Sequence, residues 1–178
     1  RVGRQAAIAA AQREAIAATD AAAQEIEGVL GRVEESVAGL ARAVSEVEPL
    51  PEALDRLVSR FDADNRAVVA RYDIRLAGAG DAAVSAWYRE TLERGTPGWS
   101  EPYRRPDLQD AVVITFGAPV RRADGTVIGA AAASVRLEFL SAVLRKVRLG
   151  DDGIALAVSR HRLLVAHSRL AIDTLFDP

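Results

Sequence analysis

Between Gln5 and Val47 the chain is an Ala-rich run punctuated by Glu and Arg, in which Ile26, Val29, Leu30, Val33, Val37, Leu40, Val44 and Val47 recur at steps of three and four. That spacing lies along one face of an α-helix. Roughly 40 residues at 1.5 Å each make a rod about 60 Å long, which has the reach of two stacked lobes. Gly28, Gly31 and Gly39 weaken such a helix and admit close approach of a packed neighbour. Taken alone, the run reads as a coiled-coil or bundle helix with no ligand role, and it is compatible with a homodimer. Glu48-Pro49-Leu50-Pro51 ends it, because proline lacks the N–H donor and restricts the residue before it. A shorter helix is expected from about Pro51 to Phe61.

The remainder alternates in the manner of strands. Arg66 to Leu76 alternates weakly and predicts one or two strands, with Ala77-Gly78-Ala79-Gly80 as a break. Ala111 to Val120 and Thr126 to Leu137 are β-rich runs separated by Arg121-Arg122-Ala123-Asp124-Gly125. Asp-Gly predicts an antiparallel hairpin, since glycine supplies the positive φ that the turn needs. Phe139, Leu140, Val143, Leu144 and Val147 mark an amphipathic helix over 138–147, stopped by Gly150. Ile154 to Val158 and Leu163 to His167 form a second apolar pair, joined through Ser159-Arg160-His161-Arg162.

Charge and composition remove several function classes. With 23 basic and 25 acidic residues the formal net charge is -2, so no electrostatic footprint points to nucleic acid or an anionic membrane surface. The absence of cysteine excludes disulfides, thiolate metal sites and cysteine nucleophiles. No apolar stretch approaches the roughly 18 residues that span a bilayer, and nothing reads as a signal peptide. A chain that begins at Arg1 and holds no methionine is expected to be an excised fragment.

Motif chemistry is equally sparse. His161 and His167 sit six residues apart on the arms of a predicted hairpin, away from the i, i+4 spacing of a helical zinc pair, and read as structural. Asp62-Ala63-Asp64-Asn65 and Asp151-Asp152 lack the ligand series of a calcium loop and read as solvated or capping residues. No nucleophile elbow, dinucleotide fingerprint, phosphate loop or metalloprotease box occurs. The reading is therefore of a non-enzyme without cofactor or metal.

What stands out is a cluster of aromatics: Trp87-Tyr88, then Trp99-Ser100-Glu101-Pro102-Tyr103, then Phe116 inside the first β-rich run. Rings supply contact area while their N–H and O–H tips orient a ligand, so the group predicts one wall of a small-molecule cavity. The competing reading is core packing, which suits Trp87, Trp99 and Phe116 better than Tyr88 and Tyr103. Arg104-Arg105 beside Tyr103 reads either as solvated loop charge or as part of that cavity.

Trp87-Tyr88-Arg89, Trp99 to Tyr103, Ile114 to Val120, Asp124 to Gly129, Gly150 to Leu156 and Leu164 to His167, in that order and spacing, resemble the Cache family of extracellular sensor domains. The resemblance covers about residues 84 to 170. It implies an α+β fold with a long N-terminal helix packed on PAS-like antiparallel lobes, double-Cache-like with a reduced or incomplete proximal lobe. Residues 1–48 would be the signalling helix, 49–149 the membrane-distal lobe and 150–178 the start of the membrane-proximal lobe. It further implies an extracellular or periplasmic sensor of a bacterial histidine kinase, phosphatase or chemoreceptor, with membrane spans outside the fragment. The alternative is a structural or dimerisation module without a ligand.

Cache sensors for amino acids carry an Arg just ahead of the Trp-Tyr pair and Asp residues elsewhere in the pocket. By that resemblance the three positions fall here at Ser85, Arg105 and Ser134, and all three are replaced. An Arg in place of a carboxylate would repel a ligand ammonium. The expected ligand is thus a small neutral or anionic molecule, such as a carboxylate and not an α-amino acid. Its candidate contacts are Trp87, Tyr88, Trp99, Tyr103, Arg105, Phe116 and Ser134.

Overall fold

A computed structural model describes residues 2–47, 50–78, 85–147, 149, 153–159 and 161–176. Glu48-Pro49, Ala79-Gly80, Arg160 and Gly150-Asp151-Asp152, all of which enter the sequence reading, lie outside the described residues. The long helix α1 spans Val2–Glu46. It is followed by α2 (Pro51–Asn65), which starts on its proline and runs four residues past Phe61. Two compact units result: Leu30–Arg136, and Arg1–Val29 together with Leu137–Pro178.

The first unit is built on one antiparallel sheet of five strands. These are β1 (Val69–Leu76), β2 (Gly98–Trp99), β3 (Tyr103–Arg105), β4 (Ala111–Arg121) and β5 (Val127–Arg136). Their order is β1-β5-β4-β2, with β3 pairing β4 farther along. The Asp124-Gly125 turn joins β4 to β5 as expected: Gly125 takes a φ of 85°, and the Asp124 carboxylate accepts from the Thr126 N–H. Where two strands were possible before Leu76, there is one, β1.

Between β1 and β2 lies helix α3 (Ala86–Arg94), which buries Trp87, Tyr88 and Thr91 and ends on Gly95 at a φ of 66°. It packs on β4 and β5, with Trp87 and Tyr88 against Ala130 and Ala132. The Thr91 side chain lies directly over Gly117 of β4.

Strand alternation assigns the opposite face to α1. Tyr72, next to Asp73, bonds Ser36 of α1 at 2.7 Å. Trp99, paired with Phe116 next to Thr115, donates its indole N–H to Glu34 of α1 at 2.7 Å. The helix buries Val33, Val37, Leu40 and Val44 on that side. Covered on both faces, β5 carries a run of fully buried small residues, Ala130 to Ala133, where an alternating strand would have exposed every second one.

The second unit pairs β6 (Leu156–Val158) with β7 (Leu164–His167). Helix α4 (Glu138–Arg145) and the short α5 (Ile172–Phe176) pack on β7. Buried Leu140, Val143 and Leu144 form the apolar face that the sequence predicted for α4. The β6–β7 connection puts Arg162, not a glycine, at a φ of 65°, and the Ser159 hydroxyl accepts from the N–H groups of His161 and Leu163. Among the described residues no helix is long and apolar enough to cross a membrane.

Candidate functional site

A cavity of about 720 Å³ opens on the α3 side of the sheet in the first unit. That is the size range of small-molecule pockets. Three segments wall it: Asp73 to Arg75 on β1, Ser85 to Trp87 at the start of α3, and Tyr103 to Asp107 on β3 and the 3-10 turn Pro106–Leu108. Of the seven residues singled out in the sequence, Trp87, Tyr103 and Arg105 line this cavity. Ser134 is fully buried and bonds Arg105.

Tyr88 is buried beside Trp87, edge to face at 5.7 Å, with the Arg75 guanidinium 5.5 Å from its ring centre. It is not part of the cavity wall. Trp99 and Phe116 lie on the α1 face, 5.2 Å apart, and are not part of it either. The cause is a register change. Trp99 pairs with Phe116 whereas Tyr103 pairs with Val113, so the alignment on β4 moves by one residue between β2 and β3. A one-residue shift moves side chains to the other face of a sheet.

A row of polar side chains crosses four strands beneath the cavity. The Tyr103 hydroxyl bonds Thr115 Oγ1 at 2.8 Å, Thr115 bonds Ser134 at 2.7 Å, and Arg105 Nη1 donates to Ser134 Oγ at 2.8 Å. Arg105 Nη1 also reaches Asp73 Oδ2 at 2.6 Å. Its Nε and Nη2 hold the two oxygens of Asp107 at 3.0 and 2.6 Å. Four of the five guanidinium N–H groups therefore have acceptors among the described residues. Asp73 and Asp107 belong to no motif in the sequence; the one sign of Asp73 is that Arg71, Asp73 and Arg75 alternate with Tyr72 and Ile74 along β1.

Electrostatics follow from this arrangement. Burial works against the charge on Arg105, and bonding to Asp107 and Asp73 more than offsets it, so the guanidinium holds its proton more firmly than usual. The Arg105 hydrogen bond, with its positive charge, pulls the Asp107 carboxyl below its ordinary range. Desolvation pushes the Tyr103 hydroxyl up, partly countered by its bond to Thr115. The cavity wall as a whole holds three arginines (Arg75, Arg104 and Arg105) and two aspartates (Asp73 and Asp107).

No protein-family model and no curated protein sequence matches the chain. Solved structures do. The ligand-binding domain of the Pseudomonas aeruginosa amino-acid chemoreceptor PctC, in complex with GABA, aligns with a TM-score of 0.69 at 21% identity over 84% of this chain and 72% of its own. The sensory domain of the Campylobacter jejuni chemoreceptor Tlp3 with isoleucine bound aligns at 0.72 and 13% identity, over 96% of this chain and 74% of its own. The ligand-binding domain of the Pseudomonas fluorescens chemoreceptor CtaA with L-isoleucine aligns at 0.65 and 18% identity, over 86% and 66%. The chain thus has the fold of chemoreceptor sensory domains, the Cache-type architecture expected from its motifs.

These structures overturn the exclusion of α-amino acids. Domains of the same fold are solved with isoleucine, L-valine and L-leucine, and the premise of the exclusion fails in this chain. Arg105 is not an unopposed positive charge facing the ligand, because Asp73 and Asp107 flank it at 2.6 Å each. The wall carries Asp73 and Asp107, although the three aligned positions are Ser85, Arg105 and Ser134.

Proposed function

We propose that this domain is the extracytoplasmic ligand-binding sensor of a bacterial transmembrane signalling protein, and that it binds without catalysing. Its ligand is a small molecule bearing a carboxylate, amino acids included. The observation that carries this reading is the cavity wall itself. Trp87 and Tyr103 provide ring surface, arginines provide counter-charge for a carboxylate, and Asp73 and Asp107 provide acceptors for an ammonium. Three arginines against two aspartates leave the wall at +1, so a monocarboxylate balances it, and a zwitterion adds no net charge while setting its own ammonium against the aspartates.

Binding would be relayed to α1 through the sheet. Asp73 faces the cavity while its neighbour Tyr72 holds Ser36 of α1, and Trp99, four residues before Tyr103, holds Glu34. The signal can be no larger than the ligand's difference in affinity between two arrangements of that helix. Calorimetric titration of the domain with the common amino acids and short organic acids tests the proposal. At least one should bind saturably, and Ala86→Trp, which fills the cavity from an exposed position on its rim, should abolish that binding. Binding that survives the plug, or none across the panel, refutes it.

A further inference from the structure

The geometry points to Asp107 as an internal competitor for the ligand: its carboxylate holds the Arg105 guanidinium in this structure and yields to the ligand's carboxylate, with Arg71 holding it once displaced. This inference rests on the sensor reading above and names how its site is regulated.

Three observations support it. The two acidic partners of Arg105 are unequal. Asp73 sits on a strand of the sheet with a side chain 17% exposed, whereas Asp107 sits on the 3-10 turn with a side chain 45% exposed. The exposed partner is the one that water and an incoming anion reach. Next, Asp107 engages Arg105 through two N–H groups, Nε and Nη2, in the paired geometry by which a guanidinium recognises any carboxylate. A ligand carboxylate on that same edge makes the same two bonds, so the exchange is nearly isoenergetic at Arg105 and is decided by the rest of the ligand.

Finally, a receiver is in place. Arg71 Nη1 lies 3.5 Å from Asp107 Oδ2 and has a half-exposed side chain. Asp107 can leave Arg105 without becoming an unpaired charge, which is the condition for a low-cost exchange. Because Asp107 follows Arg105 by two residues on one short segment, its departure shifts the 3-10 turn that forms one rim of the cavity. A displaced Asp107 also stays on the wall, where it accepts from a ligand ammonium.

Butyrate and GABA differ by that ammonium and make the test. Binding of each is followed by thermal shift and by NMR of the intact domain, for wild type, Asp107→Asn and Arg71→Gln. Circular dichroism confirms that both variants are folded. Asp107→Asn should tighten butyrate roughly tenfold, the order of one charge-assisted hydrogen bond no longer contested, and GABA by clearly less. Arg71→Gln should weaken both. Butyrate binding that Asp107→Asn leaves unchanged or weakens overturns the competitor role, as does equal tightening of the two ligands.

If neither probe shifts any form, a library of neutral and cationic metabolites separates the two ideas. A compound that binds wild type and is blocked by Ala86→Trp keeps the sensor and removes the competitor. With no binder at all, both fall.

Discussion

Replacing Arg105 by glutamine isolates the polar row that underlies the cavity. The substitution removes the guanidinium that bridges Asp73, Asp107 and Ser134. Its bonds to Asp107 are screened, since that side chain is 45% exposed, and contribute at most about 1 kcal/mol. The Asp73 pair is different: the side chains are 9% and 17% exposed, and although Asp73 keeps Arg71 Nε on its other oxygen at 3.1 Å, losing a largely buried charge-assisted bond costs about 2 kcal/mol. Ser134 retains Thr115 at 2.7 Å and adds little.

The total is about 2–3 kcal/mol, which for a chain of this length is a fall in Tm of roughly 4–12 °C. Acid should narrow the difference. Asp107 has a folded pKa below its ordinary value of 3.8, so its stabilising contribution is present above that value and is lost as pH falls through the depressed one. Melting curves by circular dichroism at pH 7 and in steps down to pH 3 measure both effects. A variant that melts within about 2 °C of wild type at pH 7, or a gap that does not change in acid, refutes the reasoning.

Two further perturbations probe the packing that positions the site. A Cβ on Gly117 would run into the Thr91 hydroxyl, so Gly117→Ala should cost about 1–3 kcal/mol in urea unfolding. Adding Thr91→Ala should recover about 1 kcal/mol of that loss, and strict additivity of the two changes would show that the contact does not matter. Leu40 is fully buried on α1, so Leu40→Ala should destabilise the domain by about 2–5 kcal/mol. A loss under about 1 kcal/mol would mean that this face of α1 does not seal the sheet.

Much of the fold was legible because its signals are local. The three-and-four spacing that runs to Val47 marks α1, which ends one residue earlier at Glu46, and Asp124-Gly125 marks the β4–β5 turn with its positive φ. The site was less legible because it is made by pairing across the sheet. Asp73 and Arg105 are 32 residues apart, and only the pairing of β1 with β5, β5 with β4 and β4 with β3 brings them within 2.6 Å.

Proximity along the chain groups Trp99 with Tyr103, but the one-residue register change between β2 and β3 sends it to the α1 face. The one usable sign of Asp73 was the charge alternation Arg71, Asp73, Arg75 on a strand otherwise facing a core. It marks the face that carries the cavity. The mistaken exclusion of amino acids has the same origin: it weighed Arg105 as a single charge at one position, without the two carboxylates that the fold places against it.

The two tryptophans provide the most direct test of the central claim, because one lines the cavity and the other lies on the opposite face. Indole N–H signals of the ¹⁵N-labelled domain, followed during titration with a binding amino acid or carboxylate, report on each face separately. A site on the Trp87, Tyr103 and Arg105 wall requires the Trp87 signal to move at low saturation along with the Arg105 Nε–H, while the Trp99 signal moves less. A titration that shifts Trp99 and leaves Trp87 and Arg105 in place would contradict it.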